Sequence, residues 1–104
     1  MISYNVFFSP RPGIDEQQVI ASAKRLLDEL RSAGKLNSYR ILRVTDPASF
    51  KELPRFQVII DYLSQDALED SLAFMRQPGR VKTGAHGAVV ELVTDFKVSF
   101  TADA

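Results

Sequence analysis

Ile2-Ser3-Tyr4-Asn5-Val6-Phe7-Phe8-Ser9-Pro10-Arg11-Pro12-Gly13-Ile14-Asp15 opens the chain, and its reading decides the fold. Ile2, Tyr4, Val6 and Phe8 alternate with Ser3, Asn5 and Phe7, the period of two that predicts a strand. Two prolines and a glycine between Ser9 and Gly13 end it, because they cannot sustain a ladder of backbone hydrogen bonds. Asp15 then fits an N-cap, with Gln18 three residues on completing a capping box. Val19, Ile20, Ala23, Leu26, Leu27 and Leu30 recur at helical spacing opposite Lys24, Arg25, Asp28, Glu29 and Arg31, and Gly34 suits the left-handed position beyond the helix end.

Working outward, the pattern predicts a second strand over residues 39–45, with Arg40 and Arg43 on opposite faces and Asp46-Pro47 closing it. Residues 55–62 alternate as a third strand, after a connection longer than a tight hairpin that carries Phe50 and Leu53. Ser64 caps a second helix, with Leu63 and Leu68 placed as a hydrophobic staple; it buries Leu68, Leu72 and Met75 and stops at Pro78-Gly79. A fourth strand is predicted over residues 88–93. Phe96, Val98 and Phe100 keep its parity, so residues 94–101 either extend it or turn at Thr94-Asp95 into a fifth. The order β-α-β-β-α-β with right-handed crossovers defines an α+β fold, the ferredoxin-like plait. Its antiparallel sheet has strand order 4-1-3-2 with two helices on one face, in a single domain over residues 1–104.

The composition excludes several classes. With 104 residues, 45% hydrophobic and 25% charged, the chain is too apolar for disorder and too interrupted by charge for a membrane span. Thirteen basic side chains balance thirteen acidic ones, so no overall field draws it to nucleic acid or anionic lipid. Cysteine is absent and His86 is the single histidine, which removes disulfides, thiolate chemistry and multi-histidine metal sites. No metal or other cofactor is expected. The opening lacks a basic n-region and meets Pro10 too early for a signal peptide, so a soluble cytoplasmic protein is the expectation.

One face of such a sheet packs on the helices. The other would carry Ser3, Asn5, Phe7, Gln57, Ile59, Asp61, Val89, Glu91 and Val93. Apolar residues in the middle of that face predict a homodimer, with Phe7, Ile59, Val89 and Val93 in the interface and Phe50 or the 96–100 segment at its margin. Asp61 and Glu91 would then need pairing, most simply with Arg40 or Arg43.

The plait, this second face and the opening from Ile2 to Gly13 resemble the dimeric α+β-barrel superfamily, in particular a small bacterial and marine family of dimeric ferredoxin-like proteins of unknown function. The resemblance implies a homodimer whose two sheets face each other, and it carries no agreed catalytic residues. "Ferredoxin-like" names a fold here, since an iron–sulfur cluster needs thiolates the chain lacks.

His86 is the general-base candidate. Its predicted place, at the start of the fourth strand, puts it near Phe8 and Phe56 and away from Tyr4, which lies about 13 Å back along the first strand. A packed or solvated loop histidine accounts for the same residue. Arg76, Arg80, Lys82 and His86 fall in a stretch without acidic side chains. The predicted topology brings that stretch to the N-terminus of the first helix, where it would hold a carboxylate or phosphate; arginines complementing a helix end explain it equally well. Tyr4 offers a phenol on the helix side of the sheet. The reading is therefore a homodimeric ferredoxin-like domain, binding a small anionic or amphipathic molecule between sheet and helices. Its alternatives are a cofactor-independent monooxygenase- or cyclase-like enzyme using His86, as the resemblance implies for some relatives, and an ACT-like regulatory or purely structural interaction module.

Overall fold

The computed structural model describes residues 1–80 and 83–104. Along them run β1 (Ile2–Pro10), α1 (Glu16–Ser32), β2 (Ser38–Arg43), β3 (Phe56–Tyr62), α2 (Gln65–Met75), α3 (Gly84–Leu92) and β4 (Val93–Ala102). The strands form one antiparallel sheet in the order β2-β3-β1-β4, the predicted 4-1-3-2 read from its other edge.

Alternation is realised most fully in β3, where Phe56, Val58, Ile60 and Tyr62 are buried and Gln57, Ile59 and Asp61 are half-buried on the opposite face. They meet Val19, Leu27 and Leu30 of α1 and Leu68 of α2. The helix start follows its chemistry: Asp15 Oδ1 accepts the Gln17 N–H at 2.9 Å. The end is a Schellman turn, with Lys35 N–H donating to the Leu30 carbonyl (2.8 Å) and Gly34 N–H to that of Arg31 (3.0 Å). Gly34 adopts φ 71°, the conformation that only glycine enters without strain. Ser64 caps α2 through the Ala67 N–H at 3.1 Å. The staple across that cap does not form, however: Leu68 is buried while Leu63 is left exposed at the surface.

The second half of the chain departs from expectation. Residues 84–92 are a helix, not a strand, and β4 begins only at Val93. Alternating Ala88, Val90 and Leu92 also reads as Ala85, Val89 and Leu92 at helical spacing behind Thr83, a good N-cap residue type; an apolar run this short satisfies both periods. Residues 94–101 are thus the fourth strand itself. Its Thr94-Asp95 turn signal is a β-bulge: Asp95 lies at φ 54°, and β4 carries one more residue than β1 between the Phe7–Lys97 and Ser9–Thr94 pairs. β1 also runs further than predicted. Ser9 and Pro10 still pair with β4 beyond the end of β3, so the missing proline N–H interrupts no ladder on that side.

Candidate functional site

Cross-strand pairs share a face, so the register fixes what each side of the sheet presents. The face away from the helices carries Ser3, Asp61 and Ser38 in one row, Asn5, Ile59 and Arg40 in the next, and Phe7, Gln57 and Leu42 in a third. Phe7 and Ile59 lie on it, half-buried, as predicted. Val89 and Val93 do not. Val89 belongs to α3, and Val93 is buried on the helix side, because the strand starts at Val93 instead of at residue 88 and the bulge shifts its parity. Phe50 stands exposed on the β2–β3 loop. Asp61 is satisfied without an arginine: Ser3 Oγ donates to it at 2.6 Å and Ser38 Oγ at 3.3 Å. Arg43 and Arg55 instead hold Glu16, at 3.1 and 2.8 Å, and the Arg55 hydrogen bond, then that of Arg43, keeps the Glu16 carboxyl below the usual carboxylate range. Glu91 lies on α3, where its backbone carbonyl accepts from Arg11 Nε at 3.0 Å.

On the helix side, between the β1–β4 half of the sheet and α1 and α3, lies a cavity of about 480 Å³. Its walls are Val6, Phe8, Leu26, Leu27, Val58, Ile60 and Val89, among other apolar side chains. Among the described residues, four polar ones line it: Tyr4 from β1, Arg11 from the β1–α1 turn, His86 from α3 and Thr94 from β4. No carboxylate is among its described lining residues. The Arg11 backbone N–H donates to the Leu92 carbonyl at 2.9 Å, so this arginine straps the C-terminal end of α3 to the sheet. Burial pushes the Tyr4 phenol above the ordinary tyrosine range, with Arg76 opposing; its ring stacks on Phe100 at 5.1 Å. Tyr62, deeper on the same side, is likewise raised by burial, opposed by the Ser71 hydroxyl 2.9 Å away.

A second recess, of about 500 Å³, adjoins the first and shares Leu26, Leu30, Met75 and His86 with it. Arg25, Glu29, Thr83 and Arg80 give it a polar lining; the Arg80 guanidinium lies 3.9 Å above the Phe74 ring. Here the predicted anion site is corrected. The stretch containing Arg80 and His86 packs on the C-terminal half of α1, not on its N-terminus. Neither recess is lined by a residue from the first turn of α1, so the N-terminal backbone donors of that helix are not part of the site. Arg76 is exposed at the end of α2, and Lys82 lies outside the described residues. Tyr4 and His86, placed at opposite ends of the sheet by the sequence reading, line one cavity because His86 is carried on a helix that runs back over β1.

Arg11, Thr94, Val90 and Phe96 were not singled out for this site, although they line it. The available signal was the helical spacing behind Thr83, which brings residues 85–92 over the sheet and frees residues 93–100 to form its edge.

An antiparallel sheet in this order, with its helices on one face around a cavity, is a ferredoxin-like α+β fold. The chain belongs to the family of unknown function DUF6614, whose model matches residues 1–102. No curated protein matches it. Among solved structures it is similar to At3g17210 from Arabidopsis thaliana, with a TM-score of 0.78 at 10% identity over 100% of this chain and 96% of that one. It is also similar to SnoaB, a cofactor-independent oxygenase from Streptomyces nogalater, with a TM-score of 0.72 at 14% identity over 99% and 92%. A dimeric ferredoxin-like protein of unknown function from Jannaschia sp. CCS1 matches with a TM-score of 0.70 at 16% identity over 98% of each chain. At these identities the likeness is one of fold. Among the described residues no helix is long and apolar enough to cross a membrane.

Proposed function

We propose that this protein is a homodimer that binds a small amphipathic anion in the cavity between the sheet and helices α1 and α3. The cavity itself carries the reading. About 480 Å³ falls in the range of roughly 300–1,000 Å³ typical of ligand sites. As a sealed, empty packing defect it would cost on the order of 10 kcal/mol at ~24 cal/mol per Å³, as much as a small domain's whole stability. It is instead open where Val90 and Phe96 are exposed. Apolar walls suit a hydrocarbon or aromatic body, while Arg11, His86 and the two hydroxyls suit an oxygen-bearing end. Dimeric relatives of the same fold support the homodimer.

Titration with anilinonaphthalene sulfonate, an amphipathic anion, tests the binding. Saturable one-to-one fluorescence enhancement is expected, and Ala23→Leu, which fills the cavity from α1, should abolish it. Enhancement that Ala23→Leu leaves unchanged would place the probe elsewhere and remove the reading.

A second reading, a cofactor-independent monooxygenase- or cyclase-like enzyme, is favoured by the position of His86 in the wall of both recesses. An imidazole at the junction of an apolar chamber and a polar one is placed to take a proton from a bound, acidic carbon or phenol. Turnover of a substrate found by screening, lost in His86→Gln and kept in Arg76→Gln, is the expected pattern; turnover unchanged in His86→Gln excludes it.

A further inference from the structure

The cavity lacks a wall on its β4 side. Phe96, which lines it, is 60% exposed, and the apolar row continues along the same side of β4 through Val98 at 43% and Phe100 at 51%. No helix among the described residues covers that row. We infer that a second copy of this chain does, and that the partner's Phe50 closes the cavity over Phe96. The inference rests on the homodimer reading and adds to it a residue that each copy contributes to the other's site.

Three observations lead to this partner. First, the sheet ends in two unpaired edges, β2 and β4. Pairing β2 of one copy antiparallel to β4 of the other continues the pattern of every existing strand pair and removes both edges, whose unpaired backbone groups would otherwise invite aggregation. Second, antiparallel pairing fixes the ends. The finish of β2, from which the β2–β3 loop departs, comes to lie beside the start of β4, where Phe96 is. That loop holds Phe50 outward at 65% exposure, on a turn made by Ala48 N–H donating to Asp46 Oδ1 (2.8 Å) and Phe50 N–H donating to the Pro47 carbonyl (2.9 Å). Third, the area demands more than the sheet face. Four strands of this length present roughly 450 Å² per copy from strand spacing and rise, against about 800 Å² per partner in a stable dimer. The edges, the loop and the β4 row are where the remaining area is found.

The absence of cysteine makes the test direct. The double variant Phe50→Cys/Phe96→Cys, oxidised mildly, should run as a covalent dimer without reductant, while each single variant should remain a monomer on the same gel. Val98→Cys, one same-face position further along β4, replaces Phe96→Cys if that variant fails to fold, and should cross-link less. Light scattering on the wild type accompanies it. A dimer that yields no Phe50–Phe96 or Phe50–Val98 cross-link overturns the inference and leaves the homodimer standing; a monomer removes both. In a separate measurement, Phe50→Ser should keep the dimer but weaken anilinonaphthalene sulfonate binding by about tenfold, the scale of losing one buried anchor. An unchanged affinity also overturns the inference.

Discussion

The two halves of the sheet treat the same kind of side chain in opposite ways. Beneath α1 and α2, β3 buries every second residue completely: Phe56 tilts against Phe8 with centroids 6.0 Å apart, Arg43 lies over its ring, and Tyr62 meets the buried Ser71 hydroxyl. On the β4 side the same alternation points Phe96, Val98 and Phe100 towards a chamber and its mouth, where they remain exposed. Apolar content does not separate these regions; coverage does. α1 and α2 close one half, whereas the other has only the flank of α1 and the nine-residue α3 over its start. The packed half therefore holds the fold, and the hollow half is free to accept something else.

Substitutions should respond accordingly. Phe56→Ala removes a ring that is only 1% exposed, and chemical denaturation should show a loss of about 3–5 kcal/mol; a loss below about 1 kcal/mol would mean that the two halves are equally loose. Tyr62→Phe strands the buried Ser71 hydroxyl at a cost of about 1–3 kcal/mol, and adding Ser71→Ala should recover part of it in a double-mutant cycle. In the hollow half the sign reverses. Ala23→Leu fills cavity volume from a buried position and should raise stability by about 0.5–2 kcal/mol, measured by the same denaturation. Destabilisation there would show the chamber to be already full.

The smallest effects are electrostatic. The lowered folded value of Glu16 means that its contribution is complete above its unfolded value near about 4.3 and is lost as pH falls through the folded one. Glu16→Gln should therefore lower Tm slightly across the neutral range and converge on the wild type as pH falls, flattening the acid limb. Tyr4 and Tyr62 are raised by burial, and Tyr39 chiefly by donating a hydrogen bond to Asp28. Stability linked to them is complete below about 10 and lost as pH rises through their folded values. Tyrosinate absorbance of the native protein should lag that of the denatured chain; coincident titrations would contradict the burial.

The packed half was also the legible half. Long segments with one clean period, such as Val19–Leu30 and Phe56–Tyr62, admit a single reading, and their caps and turns agree with it. Tyr4 and His86 line one cavity, but the sequence reading places them apart because it takes residues 88–93 as a strand with His86 at its start. There the apolar run is short, glycine interrupts it, and periods of two and of about 3.6 fit equally well; only packing on α1 decides between them. Most of the site was hidden by that one ambiguity. Arg11 was hidden for another reason: a turn arginine gives no sign of which helix end it will strap.

The bulge at Asp95 has a consequence of a different kind. Side chains on a strand alternate, so a slip of β4 by one residue against β1 would turn Phe96, Val98 and Phe100 to the outer face and leave Lys97 and Ser99 towards the chamber. The extra residue acts as a registration mark that makes such a slip detectable to the fold, because the two strands match on both sides of it in only one alignment. What an evolving lineage must preserve here is a count: substitutions at Phe96 or Val98 would retune the chamber gradually, while a single codon gained or lost along β4 beyond the bulge would invert part of the row.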